Sequence, residues 1–173
     1  FAVHSSSISK KSADYEYVRQ MRASIVLLGP VIARYKKFKI ALPGGCSIGT
    51  RGIDLHLEAL KKMGVKLSIR NGYVHAERRN EKLSAIKHSF SKISVGATQN
   101  ILMASTLAKG KSVLKNCAIE PEVIDLIKFL TECGAKIKVK DRTLTIHGVG
   151  ELNVHNQEVI PDWLEAASYI VST

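Results

Sequence analysis

Apolar and polar positions recur along this chain with two periods, and their order predicts a small set of elements used more than once. From Tyr17 to Arg34 the apolar residues Val18, Met21, Ile25, Leu28 and Ile32 return at steps of three and four, the spacing of one helix face, with Gly29-Pro30 as a kink or break. Phe38-Lys39-Ile40-Ala41-Leu42 reads as a strand. Ile53, Leu57 and Leu60 form a second helical face that ends at Gly64, where a left-handed residue can close the helix. Val65 to Ile69 then alternates apolar with polar, Asn71-Gly72 is a hairpin turn, and Tyr73 to Glu77 is the returning strand. Phe1 to Ser12, rich in Ser and Lys, reads as a loop or strand remnant.

The same order comes round again. Gly96 to Ala108 is helix-like, Ser112 to Lys115 a strand, and Pro121 to Cys133 a helix opened by Glu120-Pro121-Glu122. Gly134 closes that helix as Gly64 closed its counterpart, and Ala135 to Val139 with Arg142 to Ile146 makes a second hairpin. The two glycines stand about 70 residues apart, a period too long for ordinary solenoids, whose repeats run to roughly 50 residues. The pattern therefore predicts small α/β units related by pseudo-symmetry, roughly 17–80 and 92–150. Asp162 to Val171 resembles the opening helix of a third copy, with Asp162 as its cap and Glu165 three residues on in a capping-box arrangement.

Composition bounds the function. With 173 residues and 45% apolar content the chain can bury a sizeable core. A net charge of +11 would suit nucleic acid, a membrane surface or a phosphorylated substrate. The basic residues are spread along the chain, aromatics make up 6%, and no nucleic-acid-binding motif is present, so neither nucleic acid nor membrane is expected as a partner. Cys46, Cys117 and Cys133 are odd in number with no CxxC spacing, which argues against a disulfide framework or zinc site and for a reducing cytoplasm. The six histidines show no metal-ligand spacing, and no metal or other cofactor is expected. The longest apolar run, Ala23 to Ala33, is shorter than the roughly 18 residues a bilayer span requires.

Candidate chemistry concentrates in Pro43-Gly44-Gly45-Cys46-Ser47-Ile48-Gly49-Thr50-Arg51, between the first strand and the second helix. Glycines let the backbone approach a ligand closely, Arg51 can fork onto phosphate or carboxylate oxygens, and positive charge beside Cys46 would favour its thiolate. An anionic substrate follows. A lysine followed by hydroxyl and backbone donors at a helix start, Lys92-Ile93-Ser94-Val95-Gly96, is a second anion-binding arrangement.

The loop, together with Ile53-Asp54-Leu55-His56-Leu57 and the stretch to Gly64, resembles the reactive-loop signature of the UDP-N-acetylglucosamine 1-carboxyvinyltransferase family, which are enolpyruvyl transferases. Gln20-Met21-Arg22-Ala23-Ser24 and Lys92-Ile93-Ser94-Val95-Gly96-Ala97-Thr98 resemble two further family segments, so the likeness runs from about Tyr17 to the end of the chain. The resemblance implies an α/β fold of βαβαββ-type units, three to a domain, packed as an inside-out barrel with helices inside and sheets outside. It also implies transfer of enolpyruvyl from phosphoenolpyruvate to the 3-hydroxyl of UDP-N-acetylglucosamine in the cytoplasm of a bacterium, without a cofactor. By the same resemblance Cys46 is the proton donor and can hold a covalent adduct. Arg22 contacts the sugar nucleotide, Arg51 sits where both substrates meet, Gly52, Ile53, Asp54 and Leu55 line the uridine side, and Lys92, Ile93, Ser94, Val95 and Gly96 hold the pyrophosphate.

Two positions depart from the family pattern: Gly52 stands where proline is usual, and Trp163 follows Asp162 where arginine is usual. The family's phosphoenolpyruvate-binding Lys-Asn pair and its aspartate base have no counterpart here, so residues 1–158 are expected to be most of one domain and 159–173 the start of the next. On that expectation the remainder of the enzyme is itself a partner, and the piece alone turns over little substrate. Two other readings are a non-catalytic remnant or complementing half of a split enzyme, and a basic binding module without enolpyruvyl chemistry. The related shikimate-pathway transferase shares the repeats but lacks the Gly-Gly-Cys loop.

Overall fold

A computed structural model of the chain describes residues 12–13, 15–44, 52–153 and 156–172. Two four-stranded sheets are built to one plan. The first, in the order β1 (Ser12–Ala13), β2 (Lys37–Ala41), β4 (Tyr73–Arg78), β3 (Val65–Arg70), pairs β1 with β2 in parallel and the other strands antiparallel. The second repeats this with β5 (Lys87–Ser89), β6 (Lys111–Lys115), β8 (Thr143–His147) and β7 (Lys136–Lys140). Helices occupy the crossovers: α1 (Tyr15–Val18) and α2 (Leu28–Arg34) before β2, α3 (Asp54–Lys62) before β3, α4 (Val95–Thr106) before β6, and α5 (Pro121–Glu132) before β7. Each unit is therefore βαβαββ, the α/β class the repeat predicts.

The turns form where the sequence permits them. Gly64 and Gly134 sit at φ +90° and +99°, a region L side chains disfavour, and each ends its helix as expected. In the first hairpin Asn71 and Gly72 both have positive φ, the requirement of a two-residue turn that follows the strand twist.

Three features differ from the sequence pattern. The break in the first helical stretch falls after Val18, not at Gly29-Pro30, and Arg22–Leu27 is a 3-10 turn that leads into α2. Pro30 is tolerated because it lies in the first turn of α2, where an amide N–H has no helical acceptor to lose. Strand β5 has only three residues and no apolar alternation, and exists through parallel pairing with β6. The third opening helix, α6 (Trp163–Val171), buries none of its residues, although Asp162 caps it as predicted, accepting from the N–H groups of Leu164 and Glu165 at 2.8 and 3.3 Å.

The helices of both units gather on the inner side of the sheets. Helix α4 lies among them, touching α2, the 3-10 turn, α3 and α5, and a single buried cluster that includes Leu28, Ile32, Leu60, Ile101, Leu102 and Leu144 runs through both units. Burial of this continuous apolar interior holds the units together.

Candidate functional site

At the centre of the helical layer is one polar knot. Asn100, on α4 and fully buried, accepts a hydrogen bond at Oδ1 from the Gly29 N–H (2.6 Å). Its Nδ2 donates to the Ile25 carbonyl (3.2 Å) and lies 2.8 Å from His56 Nδ1. The carbonyl of Ile25 can only accept, which fixes the orientation of the amide. Nδ2 is then the donor to His56 as well, so His56 Nδ1 accepts and the neutral ring carries its hydrogen on Nε2. A Cβ at Gly29 would overlap Asn100, so only glycine lets α2 come this close to α4.

His56, 7% exposed on α3, faces the places where the predicted binding residues meet. Burial, with the Arg22 charge as a second cause, pulls its pKa down to about 4, so it is a neutral donor at physiological pH. A Cβ built at Gly96 would lie 3.6 Å from His56 Cε1 and 3.8 Å from Nε2, which places that edge of the ring over the first turn of α4. Ser94 caps this turn, its Oγ accepting from the Ala97 N–H at 3.3 Å and its carbonyl from the Thr98 N–H at 3.0 Å. The N–H groups of Val95 and Gly96 come earlier, at the positive end of the helix, before any intrahelical acceptor is available.

The structure thus brings together Arg22, His56, Ser94, Val95 and Gly96, with Asp54 and Leu55 directly before His56 at the start of α3. Asp54 is exposed and its carboxylate folds back over Gly52, where a Cβ would collide with it. Ile53, Leu55 and Val95 pack their side chains on the core, so they offer a ligand mainly backbone. Lys92 and Ile93 stand exposed on the approach to α4. Cys46 and Arg51 lie outside the described residues. Cys117 and Cys133 are buried, and burial pushes the Cys117 thiol up to about 11, which makes it a poor nucleophile.

His56 and Asn100 are the contributors the sequence reading did not select. The signal for Asn100 was a polar residue directly before the apolar run Ile101-Leu102-Met103, since a buried amide requires partners, and His56 had none of its own. A cavity of about 420 Å³ between α4 and α5, lined by Val26, Met103, Leu126 and Phe129 with Glu122 and Asp125, carries the wrong charge for an anion.

The depressed His56 value predicts an acid-sensitive fold. A histidine whose folded pKa lies below its unfolded value contributes stability that is complete above 6.5 and is lost as pH falls toward about 4. At 1.36 kcal/mol per unit, on the order of 3 kcal/mol is lost over that window. Urea unfolding measured across the window in parallel with His56→Gln, which cannot titrate, should show this part of the slope missing in the variant. Equal slopes would mean His56 is not held neutral.

A sequence pattern described as EPSP synthase (3-phosphoshikimate 1-carboxyvinyltransferase) matches residues 2–173. The chain is 48% identical over 165 residues to the UDP-N-acetylglucosamine 1-carboxyvinyltransferase of Pelagibacter ubique, covering 95% of this chain and 39% of that protein. It is 46% identical over 170 residues to the protein of the same name from Endomicrobium trichonymphae, covering 98% and 40%. The chain therefore spans about two-fifths of the length of these curated relatives. Among solved structures, the enolpyruvyl transferase NikO from Streptomyces tendae superimposes with a TM-score of 0.77 at 21% identity, over 93% of this chain and 38% of that one. An EPSP synthase from Acinetobacter baumannii gives 0.60 at 19% identity, over 76% and 29%. At such identities the likeness establishes the fold alone. The match along nearly the whole chain, with two βαβαββ units laid out as in solved enolpyruvyl transferases, places the chain in the EPSP synthase family, with UDP-N-acetylglucosamine 1-carboxyvinyltransferases among its relatives.

Proposed function

We propose that this chain supplies the UDP-N-acetylglucosamine side and the reactive loop of an enzyme that transfers enolpyruvyl from phosphoenolpyruvate to the sugar 3-hydroxyl in peptidoglycan synthesis. The observation that carries the reading is that one imidazole, His56, both feels the Arg22 charge and has its Cε1–Nε2 edge beside Gly96 in the first turn of α4, so that a diphosphate there would find a cation, a neutral N–H donor and two backbone N–H groups. Lys92 adds charge on the approach, and Gly52, Ile53, Asp54 and Leu55 border the nucleoside side.

In the reaction the sugar 3-hydroxyl gives its proton to a base as its oxygen bonds to C2 of phosphoenolpyruvate, and a proton from the acid is delivered to the methylene carbon of phosphoenolpyruvate. The resulting tetrahedral adduct then breaks its bond to the phosphate oxygen, releases inorganic phosphate, and returns a proton from the methyl group to restore the double bond. Cys46 is assigned as the proton donor, and Arg51, five positions further along the same stretch, is assigned to offset substrate charge as it redistributes. The enzyme acts in the bacterial cytoplasm, and residues 159–173 begin the next repeat unit, which would cover the exposed apolar side of α6.

Mass spectrometry after incubation with the epoxide fosfomycin tests this reading, with and without UDP-N-acetylglucosamine and with Cys46→Ala as the control. The expected result is one adduct on Cys46, increased by the nucleotide and absent from the variant. The buried Cys117 and Cys133 should stay unmodified. Labelling that ignores the nucleotide, or spreads over all three cysteines, would remove the case for a working site.

A further inference from the structure

The second sheet turns a face of lysines to the solvent. Its inner positions, His88, Ser112, Leu114, Leu144 and Ile146, are buried against the helical layer, so strand alternation sends their neighbours outward. In register across the sheet, Lys136 stands opposite His147 and His147 opposite Lys111. One step along, Lys138 faces Thr145, Thr145 faces Val113, and Val113 faces Lys87. Lys140 pairs with Thr143, and Ser89 with Lys115. All six lysines are exposed, and no Asp or Glu occupies any position in these four strands. The first sheet differs: there Lys37 is 3.2 Å from Glu77, and Lys39 lies 3.9 Å over the Tyr73 ring. Along the chain these six lysines look scattered between residues 87 and 140, and only the register gathers them.

We infer that the outer face of this sheet is a docking surface for an anionic phospholipid bilayer, with a groove of about 450 Å³ between Lys87 and Lys115, floored by Val113 and edged by Ser89, taking a headgroup phosphate. Four strands, three of them five residues long, give a patch about 14 Å on a side, and the long lysine stems let six ammonium groups reach a common plane of charge across the sheet twist. Nucleic acid fits it less well. The face presents no Phe, Tyr or Trp on which bases could stack, His147 being its one ring, no helix to enter a groove, and lysines where the bidentate phosphate contacts of nucleic-acid recognition favour arginine. No helix among the described residues is long and apolar enough to cross a membrane, so contact would be peripheral and electrostatic.

Co-sedimentation of the chain with vesicles of phosphatidylcholine, alone or with about 30% phosphatidylglycerol, tests the inference, because a lysine near an anionic leaflet contributes about a fivefold factor in partitioning. The chain should sediment with the anionic vesicles only, and be released as salt is raised. The triple variant Lys136→Glu, Lys138→Glu, Lys140→Glu should lose about a hundredfold, while Lys61→Glu, Lys66→Glu, Lys82→Glu, with the same change in net charge on other surfaces, should lose less than tenfold. Should circular dichroism show the first triple unfolded, Lys87→Glu with Lys115→Glu at the opposite edge replaces it, with an expected loss of about twenty-five-fold. No enrichment on anionic vesicles, equal losses in the two triples, or tighter binding to an RNA or DNA oligonucleotide at the same salt would each overturn the inference.

Discussion

Replacing Asn100 with leucine should lower the stability of the fold by about 4 kcal/mol, because the Gly29 N–H and His56 Nδ1 would each lose a buried partner at about 1–3 kcal/mol apiece. For a chain of this length that corresponds to a Tm about 10 °C lower. The Ile25 carbonyl suffers less, since it also accepts from the Leu28 N–H. Two companion variants make the expectation specific. Gly29→Ala, which on helix propensity alone would stabilise by about 1 kcal/mol, should instead destabilise, because its methyl would overlap Asn100. In a His56→Phe background, Asn100→Leu should cost less than it does alone, since the orphaned ring nitrogen is already gone. Thermal unfolding of wild type, Asn100→Leu, Gly29→Ala, His56→Phe and the double variant decides the matter. An Asn100→Leu chain within about 0.5 kcal/mol of wild type, the usual range for a surface substitution, would show that the knot does not hold the two units together.

The parts of this fold that local chemistry dictates were legible in the sequence. Helices α3, α4 and α5 follow from apolar spacing, the hairpins from alternation around Asn71-Gly72 and its later counterpart, and the helix ends from Gly64 and Gly134. What long-range packing decides was not. Strand β5 has no pattern of its own and is a strand because β6 lies beside it. The 3-10 turn at Arg22–Leu27 occupies a stretch whose periodicity suits an α-helix equally well, and its geometry is set where Asn100 reaches the Ile25 carbonyl.

The candidate site divides along the same line. Arg22, Asp54, Ser94 and Gly96 were found by resemblance in three separate stretches, and the fold brings Arg22 and Gly96 to the same imidazole. His56 looked like an ordinary helix residue, since nothing in Asp54-Leu55-His56-Leu57 announces a neutral ring held by an amide about 44 positions away. Its tautomer depends on an orientation that depends in turn on a carbonyl in a third segment, and no window of sequence contains all three. The six lysines of the second sheet are a parallel case, with alternation visible in Lys136-Ile137-Lys138-Val139-Lys140 but the shared face created only by strand pairing.

Gly96→Ala should separate binding from folding at this site. A methyl there would meet His56 Cε1, Val26 Cγ2 and His56 Nε2 at 3.6 to 3.8 Å, ordinary van der Waals distances, so the protein has room for it. Alanine also favours a helix over glycine by about 1 kcal/mol, so stability should hold or rise slightly. The new methyl would nevertheless stand against the Nε2 edge of His56 at the start of α4, in the space that the proposed site gives to a diphosphate oxygen. Losing one hydrogen bond to a charged group costs about 1.5–3 kcal/mol, so affinity for UDP-N-acetylglucosamine should fall about ten- to hundredfold while Tm is unchanged or higher. Isothermal titration with the nucleotide sugar, beside thermal unfolding of the same samples, reads both quantities. Unchanged affinity in a fully folded Gly96→Ala chain would place the diphosphate elsewhere. A fall in both quantities would instead mark Gly96 as a packing position.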